Sequence, residues 1–255
     1  MNSDKSITHV ILTGGVGSRL WPLSRKSRPK QYLEIFEGKS LFEMTVERNS
    51  HLANKVMVVG NVDNHQLSGK VMEKTSTSYI NIIEATPRNT AAAIAFAAFA
   101  SEPDDILIIT TSDDIIDQME NYNQAISEAV QKANDGFIVT FGVIPTKQET
   151  GYGYIEAEGD NVISFREKPN ETTAKEFIAK GNFLWNSGMF CFKASVLLEE
   201  LKKFQPDVFE KSKAVWEASK EGFLDLALSM EIPSISIDYA VMERSKKIKV
   251  VPASF

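Results

Sequence analysis

Short apolar runs alternate with helix-like segments over the first 145 residues, and this alternation strongly limits the fold. The runs begin at about His9, Lys55, Tyr79, Asp105 and Phe137. Segments with the apolar spacing of helices lie between them, at about 41–52, 64–76, 91–100 and 120–134. Continuous apolar strands that alternate with helices are typical of a parallel sheet covered on both faces. The sequence therefore predicts an α/β fold with a mainly parallel sheet.

The pattern changes after Pro145, where shorter strands are predicted, the first two of them half polar. These are 151–156, 162–166 and 185–192, and helices are predicted at about 171–180, 195–203 and 207–230. Residues 235–243 and 248–251 then resume the alternation of strand and helix. No repeat or linker separates the two parts. We therefore predict one domain over residues 1–255.

Composition and charge exclude several classes of partner. The net charge of −6 does not favour binding to nucleic acid or to an anionic membrane surface. The longest apolar run, 91–100, is far shorter than the ~20 residues that span a bilayer. The first eight residues lack the apolar core of a signal peptide. Together with the single cysteine, Cys191, these features predict a cytoplasmic protein that binds neither nucleic acid nor membrane.

The segment from Leu12 to Gln31 follows the first apolar run and contains three glycines. Glycines after a strand let the backbone approach a ligand closely and direct N–H groups at phosphate oxygens. The segment lacks the G-x-x-x-x-G-K-[ST] pattern of a P-loop. It also lacks the third glycine of a dinucleotide-binding fingerprint, and Pro22 disfavours the helix that should follow. It is therefore a glycine-rich loop of another kind.

Cations are dense in this loop, where twelve residues include Arg19, Arg25, Arg28 and Lys30. A solvated basic loop is the simplest explanation of such a run. Ligands of open α/β sheets, however, bind beyond the carboxyl ends of the strands, where this loop begins. Because the whole chain is acidic, the position and density of these cations indicate a local polyphosphate clamp.

Two aspartates, Asp113 and Asp114, close the fourth apolar run. Carboxylates at the carboxyl end of a strand suit Mg²⁺, a hard cation that prefers oxygen ligands. Aspartate is equally typical of a turn or a helix cap. Asn89 and Thr90 are likewise either caps of the next helix or ligand contacts, and the residues alone leave both alternatives open.

The glycine loop resembles the signature of the nucleotide-sugar pyrophosphorylases, G-G-x-G-[ST]-R-L-x-P-L-[ST]…P-K. Its version here, Arg19-Leu-Trp-Pro-Leu-Ser-Arg25 with Pro29-Lys-Gln31, is similar to the mannose-1-phosphate guanylyltransferase branch of that family. Further similar segments follow in order at 87–91, 141–145, 149–155, 167–169, 184–190 and 236–243. The resemblance therefore covers nearly the whole chain. It implies a Rossmann-like, mixed and mainly parallel sheet of the nucleotidyltransferase type.

The resemblance also implies roles for particular residues. The expected nucleotide contacts are Leu12, Gly14, Gly15, Gly17, Ser18, Arg88 and Asn89. The expected catalytic cations are Arg19, Lys30 and Lys168. The expected sugar contacts are Gly153, Glu167 and Asn186, and the expected metal ligand is Asp113. Asp114 departs from the family's usual histidine and adds a carboxylate beside the metal ligand.

The resemblance implies transfer of a guanylyl group from GTP to mannose 1-phosphate, with Mg²⁺ as cofactor. Residues 1–145 would bind the nucleotide and 146–255 the sugar. It also implies a homodimer and a C-terminal continuation, with a second metal aspartate, that these 255 residues do not contain. Alternatives are a related transferase with another base or sugar, and an inactive regulator that binds a nucleotide sugar. An NAD-dependent oxidoreductase is a more distant alternative, because the third glycine is missing.

Overall fold

The computed structural model describes residues 6–15, 20–25 and 27–255, and a nine-stranded sheet forms its centre. The strands are β1 (Ile7–Leu12), β2 (Lys55–Asn61), β3 (Ile80–Glu84), β4 (Ile106–Thr111), β5 (Ile138–Val143), β6 (Tyr154–Glu158), β7 (Asn161–Arg166), β8 (Phe183–Lys193) and β9 (Ile248–Ala253). Their order across the sheet is β3-β2-β1-β4-β8-β5-β9-β7-β6, with a further pairing of β8 with β6.

Eight α-helices connect or follow the strands in the described part of the chain. They are α1 (Leu41–Asn49), α2 (His65–Lys74), α3 (Asn89–Phe99), α4 (Met119–Asn134), α5 (Glu171–Lys180), α6 (Ala194–Phe204), α7 (Pro206–Glu217) and α8 (Leu226–Met230). A 3₁₀ turn at Lys30–Tyr32 and a π-helical turn at Asp238–Met242 lie beside the site described below. None of these helices is long and apolar enough to cross a membrane.

The block of strands β3, β2, β1 and β4 is fully parallel. In its centre Val10 lies opposite Met57 on one side and Ile109 on the other. Such strands are buried on both faces, which explains their continuous apolar runs. Strands β5 and β9 form a second parallel pair. The prediction of an α/β fold with a mixed, mainly parallel sheet is confirmed.

Strand β8 runs antiparallel between β4 and β5 and joins the two parallel parts. Its second half pairs with β4, where Phe190 lies opposite Ile109. The strand pairs with β5 over both halves, and its first half also pairs with β6, so that Trp185 lies opposite both Val143 and Tyr154. Asn186, which lies opposite Gly142 of β5, is thereby in the middle of the sheet.

Helices cover both faces of the sheet, as the alternation of side chains requires. Leu107 and Ile109 of β4 pack toward α3, α6 and α7. Ile106 and Ile108 of the same strand pack toward α4 on the opposite face. Every residue from Ala91 to Ala98 in α3 is buried. The small alanine side chains bring the axis of α3 close to the sheet.

The predicted single helix at 207–230 is wrong, because the chain leaves the helix after α7 and returns to the edge of the sheet. The Ile83 N–H donates to the Gly222 carbonyl at 2.8 Å, and the Leu224 N–H donates to the Ile83 carbonyl at 3.0 Å. Gly222 has a φ of +84°, and a Cβ there would overlap the Asn81 carbonyl oxygen. The β3 edge is thus paired by a segment that helical periodicity cannot reveal.

Candidate functional site

Two adjoining cavities open at the carboxyl ends of the parallel strands. The first pocket has a volume of about 310 Å³ and contacts Gly14, Gly15, Lys30, Glu84, Asn89 and Asp113, among others. The second pocket has a volume of about 220 Å³ and contacts Gly153, Glu167, Asn186 and Asp238, among others. Leu12, Thr90 and Thr111 line both pockets. The pockets therefore form one cleft across the ends of β1 and β4.

The described part of the glycine loop is held in place by Gln31. Its side-chain amide donates both hydrogens, to the Thr13 carbonyl at 2.8 Å and to the Gly15 carbonyl at 2.9 Å. Gln31 is buried, so these bonds are shielded from water. A Cβ added to Gly14 or Gly15 would meet nothing within 4 Å. The loop thus presents open backbone to the first pocket, and Gln31, to which no role was assigned from sequence, fixes its shape.

Gly17, Ser18 and Arg19 lie outside the described residues. Their expected roles with the nucleotide stay predictions. Leu12, Gly14 and Gly15 all lie on the first pocket, as expected for nucleotide contacts.

Lys30 and Asp113 form an ion pair on the wall of the first pocket. Lys30 begins the 3₁₀ turn that follows the basic loop, and Asp113 lies two residues beyond β4. Both side chains are partly exposed, so a ligand can reach them. The fold therefore brings together an expected catalytic cation and the expected metal ligand, which are 83 positions apart in the sequence.

The donor set around Asp113 suits a metal that is shared with phosphate oxygens. Among the residues the structure describes, no group of three His, Cys, Asp or Glu side chains could hold a metal. Mg²⁺ is commonly bound through one or two carboxylates plus the phosphates of a substrate. The Asp113 carboxylate on the pocket wall fits that arrangement.

Asp114 serves the loop that carries Asp113. Its carboxylate accepts a hydrogen bond from the Thr111 hydroxyl at 2.5 Å. Its carbonyl accepts a hydrogen bond from the Arg48 guanidinium at 3.3 Å. For Asp114 the structure therefore supports the turn interpretation, since its carboxylate is already engaged within its own loop.

Glu84 ends β3 and places a buried carboxylate on the first pocket. The residue is only 4% exposed, and its Oε1 has no hydrogen-bond partner among the described residues. Burial raises the pKa of Glu84 to about 7, and a hydrogen bond from the Arg88 backbone offsets only part of this effect. An unpartnered buried carboxylate is costly and calls for a ligand with N–H or O–H donors. The sequence reasoning missed Glu84, although a charge ending an apolar strand was the available signal.

Arg88 and Asn89 differ in their relation to the pocket. The Arg88 side chain lines neither pocket, because its Nε donates to the Ile232 carbonyl at 2.7 Å. Asn89 lines the first pocket with a positive φ of 71°. Neighbouring Thr90 accepts a hydrogen bond from the Ile237 N–H at 2.9 Å. The start of α3 is thereby tied to the segment that enters the second pocket.

The second pocket brings together the three expected sugar contacts, Gly153, Glu167 and Asn186. The Glu167 side chain is 8% exposed, and its Oε1 lies 2.6 Å from Lys168 Nζ. This hydrogen bond raises the pKa of Lys168. Lys168 itself is not among the residues lining either pocket, and its side chain is 58% exposed. It therefore lies at the rim, paired with a carboxylate that lies inside.

A residue larger than glycine would crowd position 153. A Cβ there would lie 2.6 Å from Glu167 Oε2 and 3.3 Å from the Asn186 Cβ. The Gly153 carbonyl also accepts a hydrogen bond from the Asn186 N–H at 2.8 Å. The absence of a side chain therefore sets the position of both neighbouring polar groups.

Known proteins are similar to this chain in sequence. The Escherichia coli O157:H7 protein named mannose-1-phosphate guanylyltransferase 2 is 40% identical over 274 aligned residues, which cover 98% of this chain and 57% of that protein. The Pseudomonas aeruginosa alginate biosynthesis protein AlgA is 40% identical over 96% of this chain and 54% of its own. The chain thus spans about half the length of the curated relatives it matches.

Solved structures share the fold, and this chain covers a larger share of their length than of the curated relatives. A Helicobacter pylori protein described as mannose-6-phosphate isomerase has a TM-score of 0.90 and 35% identity, with 98% of both chains covered. A Thermus thermophilus protein described as mannose-1-phosphate geranyltransferase has a TM-score of 0.83 and 32% identity. That match covers 97% of this chain and 74% of the other. The profile of the nucleotidyl transferase family matches residues 8–226. The resemblance inferred from the motifs is confirmed, and this chain belongs to the nucleotidyl transferase family.

Proposed function

We propose that the chain transfers the guanylyl group of GTP to mannose 1-phosphate, giving GDP-mannose and pyrophosphate. The observation that carries this proposal is the pair of adjoining pockets. Lys30 and Asp113 lie on the first pocket, and the second contains polar groups that can form hydrogen bonds with sugar hydroxyls. Relatives that carry the name mannose-1-phosphate guanylyltransferase support the same assignment. Residues of about 1–145 would bind the nucleotide, and about 146–255 the sugar.

Glu84 supports guanine as the base. Guanine presents two adjacent donors on one edge, the ring N1–H and the exocyclic amino group, and a carboxylate can accept from both. Adenine presents only its amino group beside a ring acceptor, and uracil presents one N–H between two carbonyls. Oε1 of Glu84 has no partner in the described residues and lines the first pocket. A buried carboxylate therefore favours guanine over the other bases.

The sheet order supports a base site at Glu84. Strands β3 and β4 are separated by β2 and β1. Three strand spacings amount to about 14 Å, which leaves room for a ribose between the base and the α-phosphate. The base would lie beyond β3, and the phosphates beyond β1 and β4.

The reaction needs no general base, because the attacking phosphate oxygen of mannose 1-phosphate is already ionised at neutral pH. That oxygen forms a bond to the α-phosphorus of GTP while the bond to the β-phosphate breaks, and pyrophosphate leaves. Lys30 would stabilise charge on the α-phosphate, and Lys168 would guide the sugar phosphate from the rim. Backbone N–H groups of Gly14, Gly15 and Gly17 would hold the triphosphate, and Arg19 the leaving phosphates. Catalysis then rests on positioning and charge stabilisation.

Asp113 would hold Mg²⁺ together with phosphate oxygens. The cation would neutralise part of the charge on the phosphates when bound. The magnesium requirement, a homodimer and a cytoplasmic location stay predictions.

The test is pyrophosphate release with GTP, ATP, UTP and dTTP, each crossed with mannose 1-phosphate and glucose 1-phosphate. Release with GTP and mannose 1-phosphate alone is the expected result. Preference for another pair would assign a related transferase. Absence of release with every pair, together with tight binding of GDP-mannose, would instead identify a binding protein.

A further inference from the structure

Asp238 brings a second carboxylate into the second pocket, and nothing above assigns it a role. It is the first residue of the π-helical turn Asp238–Met242. The preceding residue, Ile237, donates its N–H to Thr90 at the start of α3, and the Ala240 N–H donates to the Ser236 carbonyl at 2.9 Å. These two hydrogen bonds fix the backbone on either side of Asp238 at the edge of the cleft.

The Asp238 carboxylate fixes the side chain of Asn186. Asn186 Oδ1 accepts hydrogen bonds from the Gly188 N–H at 3.2 Å and from the Thr140 hydroxyl at 3.0 Å. A backbone N–H can only donate, so this contact identifies the amide oxygen. Asn186 Nδ2 then donates to Asp238 Oδ1 at 3.1 Å. The amide oxygen has no lone pair left, and one N–H remains for a ligand.

Asp238 and Glu167 act on each other across the pocket. Burial, and then the negative charge of Glu167, raise the pKa of Asp238 to about 6. The neighbouring Lys168 compensates only part of this charge, because it also pairs with Glu167. Two carboxylates that face one small cavity are best satisfied by a ligand with several hydroxyl donors. The spare N–H of Asn186 adds one donor for a hydroxyl oxygen.

We propose that Asp238 is a second sugar-binding carboxylate, which accepts a hydrogen bond from a hexose hydroxyl different from the one that Glu167 binds. In the same position it keeps the Asn186 amide oriented as a donor. This inference rests on the proposed function, since it takes a hexose 1-phosphate to be the ligand of the second pocket.

The test compares mannose 1-phosphate with its 2-, 3-, 4- and 6-deoxy analogues in the wild-type chain and in Asp238→Asn, Asp238→Ala and Glu167→Gln. Wild-type turnover with GTP and mannose 1-phosphate comes first, and its absence would count against the proposed function itself. Asp238→Ala should lower kcat/KM for mannose 1-phosphate by about 100-fold. This is the scale expected when a charged hydrogen bond to the ligand is lost together with the bond that orients Asn186. Asp238→Asn should lower it by about 10-fold, because it can still accept from Asn186.

The deoxy analogues separate ligand contact from a structural role. One of them should be penalised in the wild type and in Glu167→Gln, yet lose its penalty in Asp238→Ala. A different analogue should lose its penalty in Glu167→Gln. If every penalty persists in Asp238→Ala, or if both variants lose the same one, the inference is overturned. Asp207→Asn changes an exposed aspartate at the start of α7 and should leave all values unchanged.

Equilibrium binding gives a readout that does not depend on turnover. In calorimetric titrations, Asp238→Ala should weaken GDP-mannose by about 10- to 100-fold and leave GDP unchanged, since only the sugar contact is lost. Equal weakening of both ligands by a folded Asp238→Ala variant would show a structural defect and contradict the proposal. If Asp238→Ala loses its thermal unfolding transition, it gives no binding data. The Asp238→Asn variant, which keeps the shape of the side chain, then repeats the test in a folded protein.

Discussion

The first pocket is framed by the ends of parallel strands, whereas the second is framed by side chains that meet across the mixed half of the sheet. In the first pocket, short stretches such as 12–15 and 111–113 supply the walls directly. In the second, Thr140, Asn186 and Asp238 come from separate segments and are joined by hydrogen bonds. The walls of the first pocket thus come mainly from short stretches at strand ends, whereas the second pocket depends on side-chain hydrogen bonds between distant segments. If the two pockets act separately, a substitution in one of them should affect only one of the two proposed substrates.

Lys30→Ala should have the largest effect, because it removes a charge at the proposed point of reaction. We expect turnover to fall by roughly two to four orders of magnitude, the scale of one preorganised charge contact. Steady-state pyrophosphate release measures this. The control is Lys39→Ala, which breaks a surface pair with Glu47 and should leave turnover nearly unchanged. Near-wild-type turnover in Lys30→Ala would refute its assigned role.

Gly153→Ala should affect the sugar alone. The new methyl group meets the end of the Glu167 side chain, which can move away at little cost to folding. The moved carboxylate would no longer reach the sugar hydroxyl that it is proposed to bind, so we expect the KM for mannose 1-phosphate to rise by about 100-fold, as for a lost charged hydrogen bond. Separate titrations of each substrate measure the two KM values.

The matched control is Gly69→Ala, in the interior of α2, where a Cβ would meet only the Tyr79 hydroxyl at 3.6 Å. This change should leave both KM values at the wild-type level. An equal rise of both KM values in Gly153→Ala would show that the pockets are not independent.

Glu84→Gln should affect the nucleotide alone and change the preference among bases. The neutral amide replaces one acceptor by a donor, which opposes the N–H groups of guanine. We expect kcat/KM for GTP to fall by about 10- to 50-fold, while that for ATP stays the same or rises. The ratio of the two values is the measurement. Glu158→Gln, at the exposed end of β6, is the control. An unchanged ratio of the two kcat/KM values would show that Glu84 does not take part in base recognition.

The smallest effect concerns stability as a function of pH. The pKa of Glu84 is raised from an ordinary 4.5 to about 7 in the folded chain. Between these values the folded chain binds more protons than the unfolded chain, so the contribution of Glu84 to the free energy of unfolding falls as pH rises. The loss is complete above pH 7 and amounts to roughly 2–4 kcal/mol, at about 1.4 kcal/mol for each pKa unit.

Glu84→Gln should therefore be more stable than the wild type at pH 8, with a flatter dependence between pH 5 and pH 7. Urea unfolding at several pH values measures this, and Glu158→Gln again serves as the control. Parallel pH profiles of stability for the wild type and Glu84→Gln would contradict the raised pKa of the buried Glu84 carboxylate.

The local part of this architecture could be predicted from sequence. The apolar runs placed the parallel strands, and the glycine and basic residues placed one wall of the first pocket. The antiparallel insertion of β8 between β4 and β5 could not be read in the same way. Strand order depends on contacts between residues far apart in the chain, such as Phe190 with Ile109, and periodicity contains no such information.

The misses have physical causes of the same kind. Helical periodicity continued through 207–230, but pairing of Ile83 with Gly222 and Leu224 interrupts it. Asp238 lay within a recognised motif, but its meaning depends on Asn186, which is 52 positions earlier. The roles of Gln31 and Glu84 became visible only when their burial and partners were known.

The pairing of 220–224 with β3 has a consequence for the behaviour of the chain in solution. Strand β3 is the end strand in the order of the sheet, and an open end strand is a template onto which a strand of another molecule can add. The Gly222 carbonyl and the Leu224 N–H already occupy the Ile83 backbone groups that such a strand would use. The segment therefore blocks strand addition at Ile83, and the glycine at its centre, where any Cβ would overlap the Asn81 carbonyl oxygen, makes this protection possible.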